Sequence, residues 1–77
     1  MGDIVEVDFK EAVKWYRLSA EQENRWAFLH LGNMYRRGMG VERDYVKARE
    51  LYARAAGKGM IDAHLQLAEI YEYGLGV

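Results

Sequence analysis

The chain contains no cysteine and no proline, and each absence excludes a class of structure. Without cysteine, neither a disulfide framework nor a thiolate metal site can form. The absence of proline together with eight glycines suggests helices that end at glycine, because glycine readily takes the left-handed conformation at a helix C-terminus. No apolar run approaches the roughly 20 residues of a membrane span, so membrane insertion is not expected. The sequence shows no signal peptide at its start, and cytoplasmic and periplasmic locations both stay open.

The charges of the chain are balanced. Eleven Lys and Arg residues stand against 12 Asp and Glu residues, which gives a net charge of -1. Proteins that bind nucleic acid phosphates usually carry a basic face, so this balance argues against a nucleic acid partner. The hydrophobic fraction of 51% is typical of a soluble globular fold, and 77 residues suffice for one small domain at most.

The sequence repeats itself with a period of 36 residues. When the chain is aligned with itself at this offset, 14 of the 41 aligned positions are identical. A period of this length is typical of stacked helical hairpins. Residues 36 positions apart, such as Ala20 and Ala56 or Tyr35 and Tyr71, are therefore expected in equivalent environments of neighbouring hairpins.

Each repeat unit contains two helical patterns. The first begins at Ala12, and again at Ala48, with small or apolar residues spaced along one helix face. Asp8 and Asp44 occupy the N-cap positions of these helices, and Glu11 would complete a capping box with Asp8. The two patterns predict helices near residues 8–22, 25–37, 44–57 and 61–73.

Glycine marks two kinds of position in the helical patterns. Gly38 and Gly74 follow the second helix of each pair, where a left-handed residue ends the helix. Gly32 instead lies inside a helix, where glycine costs roughly 0.5–1 kcal/mol relative to alanine. We therefore predict a close helix crossing at Gly32, against the stripe of the first helix.

A series of residues at fixed spacings has the pattern of a known repeat. These residues are Ala27, Leu31, Gly32, Tyr35, Gly38, Gly40, Val41, Asp44, Lys47, Ala48, Tyr52, Ala55, Ala56 and Gly59. They resemble one complete Sel-1-like repeat, a relative of the tetratricopeptide repeats with a longer period and a Gly-x-Gly-Val loop. The resemblance implies an all-α fold, a right-handed superhelix of antiparallel helix pairs, with about four helices in this chain. It also implies an adaptor or scaffold for protein complexes, often in bacterial systems.

The resemblance extends over nearly the whole chain. Residues 5–23 resemble the second half of one repeat, 24–59 a complete repeat, and 60–77 the first half of the next, which predicts a segment of a longer array. One departure is Glu23, which stands where Gly59 stands one repeat later. We expect Asn24 to close this turn in the left-handed conformation instead.

No residue pattern is typical of catalysis or of cofactor binding, so we expect neither an enzyme nor a bound cofactor. His30 and His64 occupy non-equivalent repeat positions and lack the further ligands that a metal site needs. The Gly-Met-Gly segment follows a helix and lacks the Gly-Lys-Ser of a phosphate loop. Arg36 and Arg37 are interpreted as a solvated helix end, and Glu69 as an ordinary charge on a helix surface.

One stripe of side chains is the candidate site for a protein or peptide partner. It lies on the second helical pattern, opposite the core stripe, with helical spacing, and includes an aromatic and an arginine typical of interface hot spots. By resemblance to tetratricopeptide domains, it would line the concave face. The predicted site residues are Trp26, His30, Asn33 and Arg37, with Gln66, Glu69 and Tyr73 one repeat later. The alternative for Trp26 is packing on the neighbouring helix near Gln22 and Glu23.

A second hypothesis is a structural segment whose main role is homo-oligomeric assembly. A repeat unit buries its apolar face only against neighbouring units. The first helix and the last segment of the chain each lack one such neighbour in this sequence. Self-association through these open ends is therefore a further expectation.

Overall fold

The computed structural model describes residues 8–75, which form four α-helices. In chain order these are α1 (Phe9–Glu21), α2 (Arg25–Arg37), α3 (Tyr45–Gly57) and α4 (Ile61–Glu72). Every predicted helix is present, with each boundary within one residue of its predicted position. No strand occurs in the part of the chain that the structure describes.

The helices pack in succession, α1 on α2, α2 on α3 and α3 on α4. Short connections join them, and the described residues form an elongated body of 43 × 28 × 19 Å. This arrangement confirms the predicted all-α fold class, a helical solenoid built from helix pairs. The division into repeats at residues 5–23, 24–59 and 60–77 stays a prediction, and residues 5–7 and 76–77 of it lie outside the described residues.

Side-chain caps begin three of the four helices. The Asp8 carboxylate accepts a hydrogen bond from the Glu11 amide at 3.1 Å, and Asp44 accepts one from the Lys47 amide at 3.0 Å. Each such cap stabilises a helix by about 1 kcal/mol. The reciprocal half of the predicted capping box was wrong, because the Glu11 carboxylate instead accepts from the Trp15 indole nitrogen at 2.8 Å.

The turn between α1 and α2 differs from the prediction. Glu23 itself adopts the left-handed conformation with φ 63°, as Gly59 does with φ 87° one repeat later. Asn24 has φ -77° and caps α2, its side-chain oxygen accepting from the Trp26 amide at 2.9 Å. The expectation of a left-handed Asn24 was wrong because the cap needs extended backbone at that residue. Glu23 forms an ion pair with Lys58 at 3.2 Å, which connects this turn to the end of α3.

Small and aromatic residues alternate in the core between α2, α3 and α4. Tyr52 is fully buried among alanines of α3 and α4. A Cβ atom at Gly32 would lie 2.7 Å from the Tyr52 ring, which confirms the predicted close crossing at Gly32. Gly38 has φ 69° and caps α2 in the left-handed conformation, as predicted. Close packing of this kind fixes the position of α2 relative to α3.

Gly40 makes a second close approach, between consecutive hairpins. Its φ is +75°, and a Cβ atom there would lie 2.5 Å from the Phe9 carbonyl oxygen. The loop between α2 and α3 therefore lies directly on the first turn of α1, a position that only glycine can occupy without displacing the backbone.

Residues one period apart share environments where their helices have the same neighbours. Ala27 and Ala63 are both buried. The expectation of equivalent environments was wrong for Tyr35 and Tyr71, because the half-buried Tyr35 accepts a hydrogen bond from Arg17 of α1, whereas Tyr71 is 63% exposed. Ala20 and Ala56 also differ, since Ala20 is half-buried and Ala56 is buried. In residues 8–75 α2 packs extensively on both α1 and α3, whereas α4 packs extensively only on α3, and this difference accounts for the unlike burial of the two tyrosines.

Candidate interaction surface

The predicted site residues lie along α2 and α4, the equivalent helices of two consecutive repeats. We call them the α2–α4 surface, which comprises Trp26, His30, Asn33, Arg37, Gln66, Glu69 and Tyr73. Side-chain hydrogen bonds from Arg36 join α2 to α4. The surface has three parts: an aromatic end at Trp26, a polar centre, and a cationic end at Arg37.

An exposed tryptophan forms the aromatic end. Trp26 is 51% exposed to solvent. Its ring stacks on His30 with centroids 6.4 Å apart, and His30 stacks on Tyr16 of α1 with centroids 4.9 Å apart. Stacking on His30 thus positions the Trp26 ring, while about half of the Trp26 surface stays exposed to solvent.

A depression of about 230 Å³ lies beside Trp26, between the first turns of α2 and α4. Trp26 and the 73% exposed Ile61 contribute apolar surface, and Met60 is buried beneath them. Arg25 and Asp62 complete the lining, so the charges at this end cancel. The depression is suited in size and polarity to one apolar side chain.

Arg36 bridges α2 and α4 at the centre of the surface. Its guanidinium donates to the Glu69 carboxylate at 2.8 Å and to the Gln66 side-chain oxygen. The hydrogen bond to Glu69 raises the pKa of Arg36, and only 22% of the Arg36 side chain is exposed. The interpretation of Arg36 as a solvated helix end was therefore wrong, whereas Glu69 is exposed on the helix surface as expected and in addition pairs with Arg36.

The sequence contains a signal that could have revealed this bridge. Arg36 and Glu69 have opposite charges and are 33 residues apart, close to one period, so they lie on neighbouring repeats. Arg36 lies beside the predicted stripe and not within it, and its long side chain reaches α4 from there. A search for opposite charges about one period apart would have included this pair.

A buried tyrosine orients the amide of Asn33. The Tyr52 hydroxyl donates to the Asn33 side-chain oxygen at 2.5 Å. Burial raises the pKa of the Tyr52 hydroxyl, while the nearby Arg36 opposes that shift. Because the oxygen of Asn33 accepts from Tyr52 and that of Gln66 accepts from Arg36, both amides keep their NH₂ donors for other acceptors. Residues 8–75 provide no further side-chain hydrogen bond to either amide.

Arg37 and Tyr73 form the cationic end. Arg37 is the last residue of α2, and Tyr73, at the equivalent repeat position, caps the end of α4; both are exposed, Tyr73 by 69%. Arg37 makes no ion pair or side-chain hydrogen bond with the described residues. Arg36 neutralises the charge of Glu69. The positive charge of Arg37 is therefore left without a negative counterpart among the residues of the α2–α4 surface.

A second cleft, of about 380 Å³, lies between α1 and α3 above Phe28 and Leu31 of α2. Its charged rim is largely engaged within the chain. Arg54 lies over the Phe28 ring at 4.9 Å and within 3.6 Å of the Glu23 carboxylate. Arg17 donates to the Tyr35 hydroxyl at 2.7 Å. This cleft therefore offers fewer free polar groups than the α2–α4 surface.

The described residues contain no group of three or more His, Cys, Asp or Glu side chains that could hold a metal ion. His30 is engaged in stacking, and His64 is exposed on α4. None of the helices in residues 8–75 has the length and apolar character of a membrane span.

Comparison with known proteins places this geometry in a family. The family model for the Sel1 repeat matches residues 1–24, 29–60 and 61–77. The chain belongs to the Sel1 repeat family. Sel1 repeat proteins are generally scaffolds for protein–protein interactions.

Similar proteins come from several kinds of organism. A sel1-like repeat-containing protein of Acanthamoeba polyphaga mimivirus is 41% identical over 83% of this Sel1 repeat chain and 12% of its own length. The ERAD-associated E3 ubiquitin-protein ligase component HRD3A of Arabidopsis thaliana is 40% identical over 82% of this chain and 9% of its own. These relatives do not single out the bacterial setting that the resemblance implied. The chain spans about a tenth of the length of each of these two relatives.

A solved structure agrees with the fold. A protective antigen of uropathogenic Escherichia coli strains, which displays an SLR fold, superimposes with a TM-score of 0.91 at 48% identity. The match covers 95% of this Sel1 repeat chain and 16% of the antigen.

Proposed function

We propose that this chain is a non-catalytic interaction module that binds a protein or peptide segment on its α2–α4 surface. The observation that carries the proposal is the exposure of Trp26, Arg37 and Tyr73 on two equivalent helices joined by the Arg36 bridge. Tryptophan, tyrosine and arginine are the residues that most often carry binding energy at interfaces. Here they project from helices whose opposite faces are fixed in the core.

The family relationship supports the same function. HRD3A is, by its name, a component of a ligase assembly, and a repeat solenoid suits such a role because it offers an extended surface on rigid helices. The side chains of the proposed site need little reordering on binding. His30, Asn33, Gln66 and Glu69 are already held by contacts within the chain, which lowers the entropy lost on association.

Selection of binders from a random peptide library displayed on phage tests this proposal. Selected peptides are expected to lose about 30-fold in affinity with Trp26→Ala, the effect of removing an aromatic anchor. Tyr73→Ala should also lower the affinity for the selected peptides. The matched control is Trp15→Ala, which removes a tryptophan that is 57% exposed on α1, away from the α2–α4 surface. Peptides that bind all of these variants equally would contradict the proposed site.

A second candidate function is assembly of identical chains through the outer faces of α1 and α4. Leu65 is 59% exposed, although Leu29 at the equivalent position of α2 is buried against α3. Trp15 is exposed on α1, where its counterpart Leu51 is half-buried. Since α1 and α3 are equivalent helices, α1 of a second copy would cover Leu65 in the way that α3 covers Leu29.

Sedimentation velocity over a range of concentrations separates the two candidates. The assembly hypothesis predicts self-association that Leu65→Asp abolishes. Ile61→Asp, at a still more exposed site beside Trp26, should leave the self-association intact. A monomer at high micromolar concentration would rule out assembly and leave the binding-module proposal unaffected.

A further inference from the structure

We infer that the α2–α4 surface recognises an extended peptide that carries an apolar side chain and an acidic residue about five positions apart. The inference rests on the proposed function and specifies the chemistry of the partner. It is drawn from three features of this surface: the depression beside Trp26, the amides of Asn33 and Gln66 with NH₂ groups free of side-chain bonds within residues 8–75, and the cation of Arg37, which has no ion pair there.

The depression selects an apolar side chain. It is bounded by the exposed faces of Trp26 and Ile61, and its floor is the buried Met60. Burying apolar surface here is favourable, because both walls are in contact with water in the free chain. The opposite charges of Arg25 and Asp62 at its rim give no net preference for a charged side chain.

The cationic end selects an acid. Arg37 is exposed, has no partner among the described residues, and lies on the same face as Trp26. Glu69, the one acidic residue among those that define the α2–α4 surface, is already engaged by Arg36 at 2.8 Å. A carboxylate of the partner can therefore form a charge-assisted hydrogen bond with Arg37 without displacing an internal bond. Tyr73, at the equivalent position one repeat later, is also exposed and offers a hydroxyl donor on the same surface.

The polar centre suits the main chain of an extended peptide. Asn33 and Gln66 keep their oxygens on Tyr52 and Arg36, so the groups that they offer to a partner are NH₂ donors. A peptide in extended conformation presents carbonyl oxygens that such donors can bind. Because the two amides sit on neighbouring helices, they would contact the peptide from both sides.

The spacing follows from helix geometry. Trp26 and Arg37 are separated by eleven residues of α2, or about 16 Å at a rise of 1.5 Å per residue. An extended chain advances about 3.3 Å per residue, so five positions span the same distance. Either chain direction satisfies this geometry, and binding measurements with both orders of the two residues would establish which is used.

Blocked synthetic peptides with leucine and glutamate five positions apart in a glycine–serine background are the probe. The Trp15→Phe variant leaves Trp26 as the single tryptophan, so that its fluorescence reports binding directly. At least one order of the two residues should bind, and a peptide with the pair two positions apart should bind at least about tenfold more weakly, because it cannot reach both ends. Equal affinity for the two spacings would overturn the inference.

A charge exchange tests the acidic contact. Arg37→Glu should weaken binding of the glutamate peptide by about fivefold or more, and a peptide with lysine in place of glutamate should recover affinity for this variant. Lys47→Ala, which removes an exposed cation from α3, is the matched control and should have no effect. Failure of the lysine peptide to recover affinity would refute the Arg37 contact.

The two proposals fail in different ways. Library peptides that depend on Trp26 but show no fixed spacing of apolar and acidic residues would overturn this inference and leave the binding surface standing. Absence of any peptide that depends on the α2–α4 surface would overturn both.

Discussion

Replacing Gly32 by alanine tests the packing that places α2 against α3. The added Cβ would lie 2.7 Å from Cε1 and 2.8 Å from Cδ1 of Tyr52, roughly 1 Å inside ordinary carbon–carbon contact. Tyr52 is fully buried, so its ring has no space into which it can move. Overpacking costs roughly 1–3 kcal/mol, whereas alanine gains roughly 0.5–1 kcal/mol over glycine inside a helix. We therefore expect Gly32→Ala to lower the free energy of unfolding by about 1–2 kcal/mol.

Gly57→Ala is the matched control for this experiment. Gly57 is the last residue of α3, and an added Cβ would have no heavy atom within 4 Å, so only the helix preference changes. Urea unfolding followed by circular dichroism measures both variants. Gly32→Ala should also lose most of its cost in a Tyr52→Leu background, where the ring atoms are absent. A Gly32→Ala variant at least as stable as the parent chain would refute the reasoning.

Three further outcomes are expected, all measurable by the same unfolding assay. Arg36→Ala should lower the free energy of unfolding by about 1 kcal/mol because it removes the bridge to Gln66 and Glu69. Arg37→Ala, the control, should stay within about 0.5 kcal/mol of the parent chain. Equal losses of stability in the two variants would contradict the assignment of the bridge to Arg36. Asp44→Ala should cost about 1 kcal/mol by removing the cap of α3, and an unchanged stability would show that the cap contributes little. Above pH 10.0, the ordinary pKa of tyrosine, the unfolded chain releases the Tyr52 proton while the folded chain, in which burial raises that pKa, retains it. Stability should therefore be lost from that pH upward, and less steeply in Tyr52→Phe; identical pH profiles would exclude this contribution.

The fold could be predicted from the sequence because its determinants are local and repeated. The N-caps Asp8 and Asp44, and the C-cap Gly38, act on the helix in which they lie, so spacing alone located the helix ends. The turn at Glu23 could not be predicted in the same way. Both Glu23 and Asn24 are able to take positive φ, and the choice between them depended on which one was needed to cap α2.

The candidate surface was predicted only as a stripe on two helices. Helical spacing placed Trp26 and Arg37 on one face, and both are exposed there. The internal bonds of that face depend on side chains that meet across repeats, such as Arg36 with Glu69 and Asn33 with Tyr52. Their meeting depends on the angle between consecutive helices and on rotamer choice, and neither quantity is contained in a periodic pattern.

The close approach of Gly40 to Phe9 has a consequence for how such a chain can diversify. The joint between consecutive hairpins is formed at this point by backbone against backbone, so it does not depend on the identity of any side chain on the α2–α4 surface. Substitutions of the exposed Trp26, Arg37 and Tyr73, which form no bond to another helix among the described residues, can therefore alter the ligand preference of a hairpin without changing this contact. The backbone contact that joins consecutive hairpins is thus separate from the exposed side chains that would select a ligand.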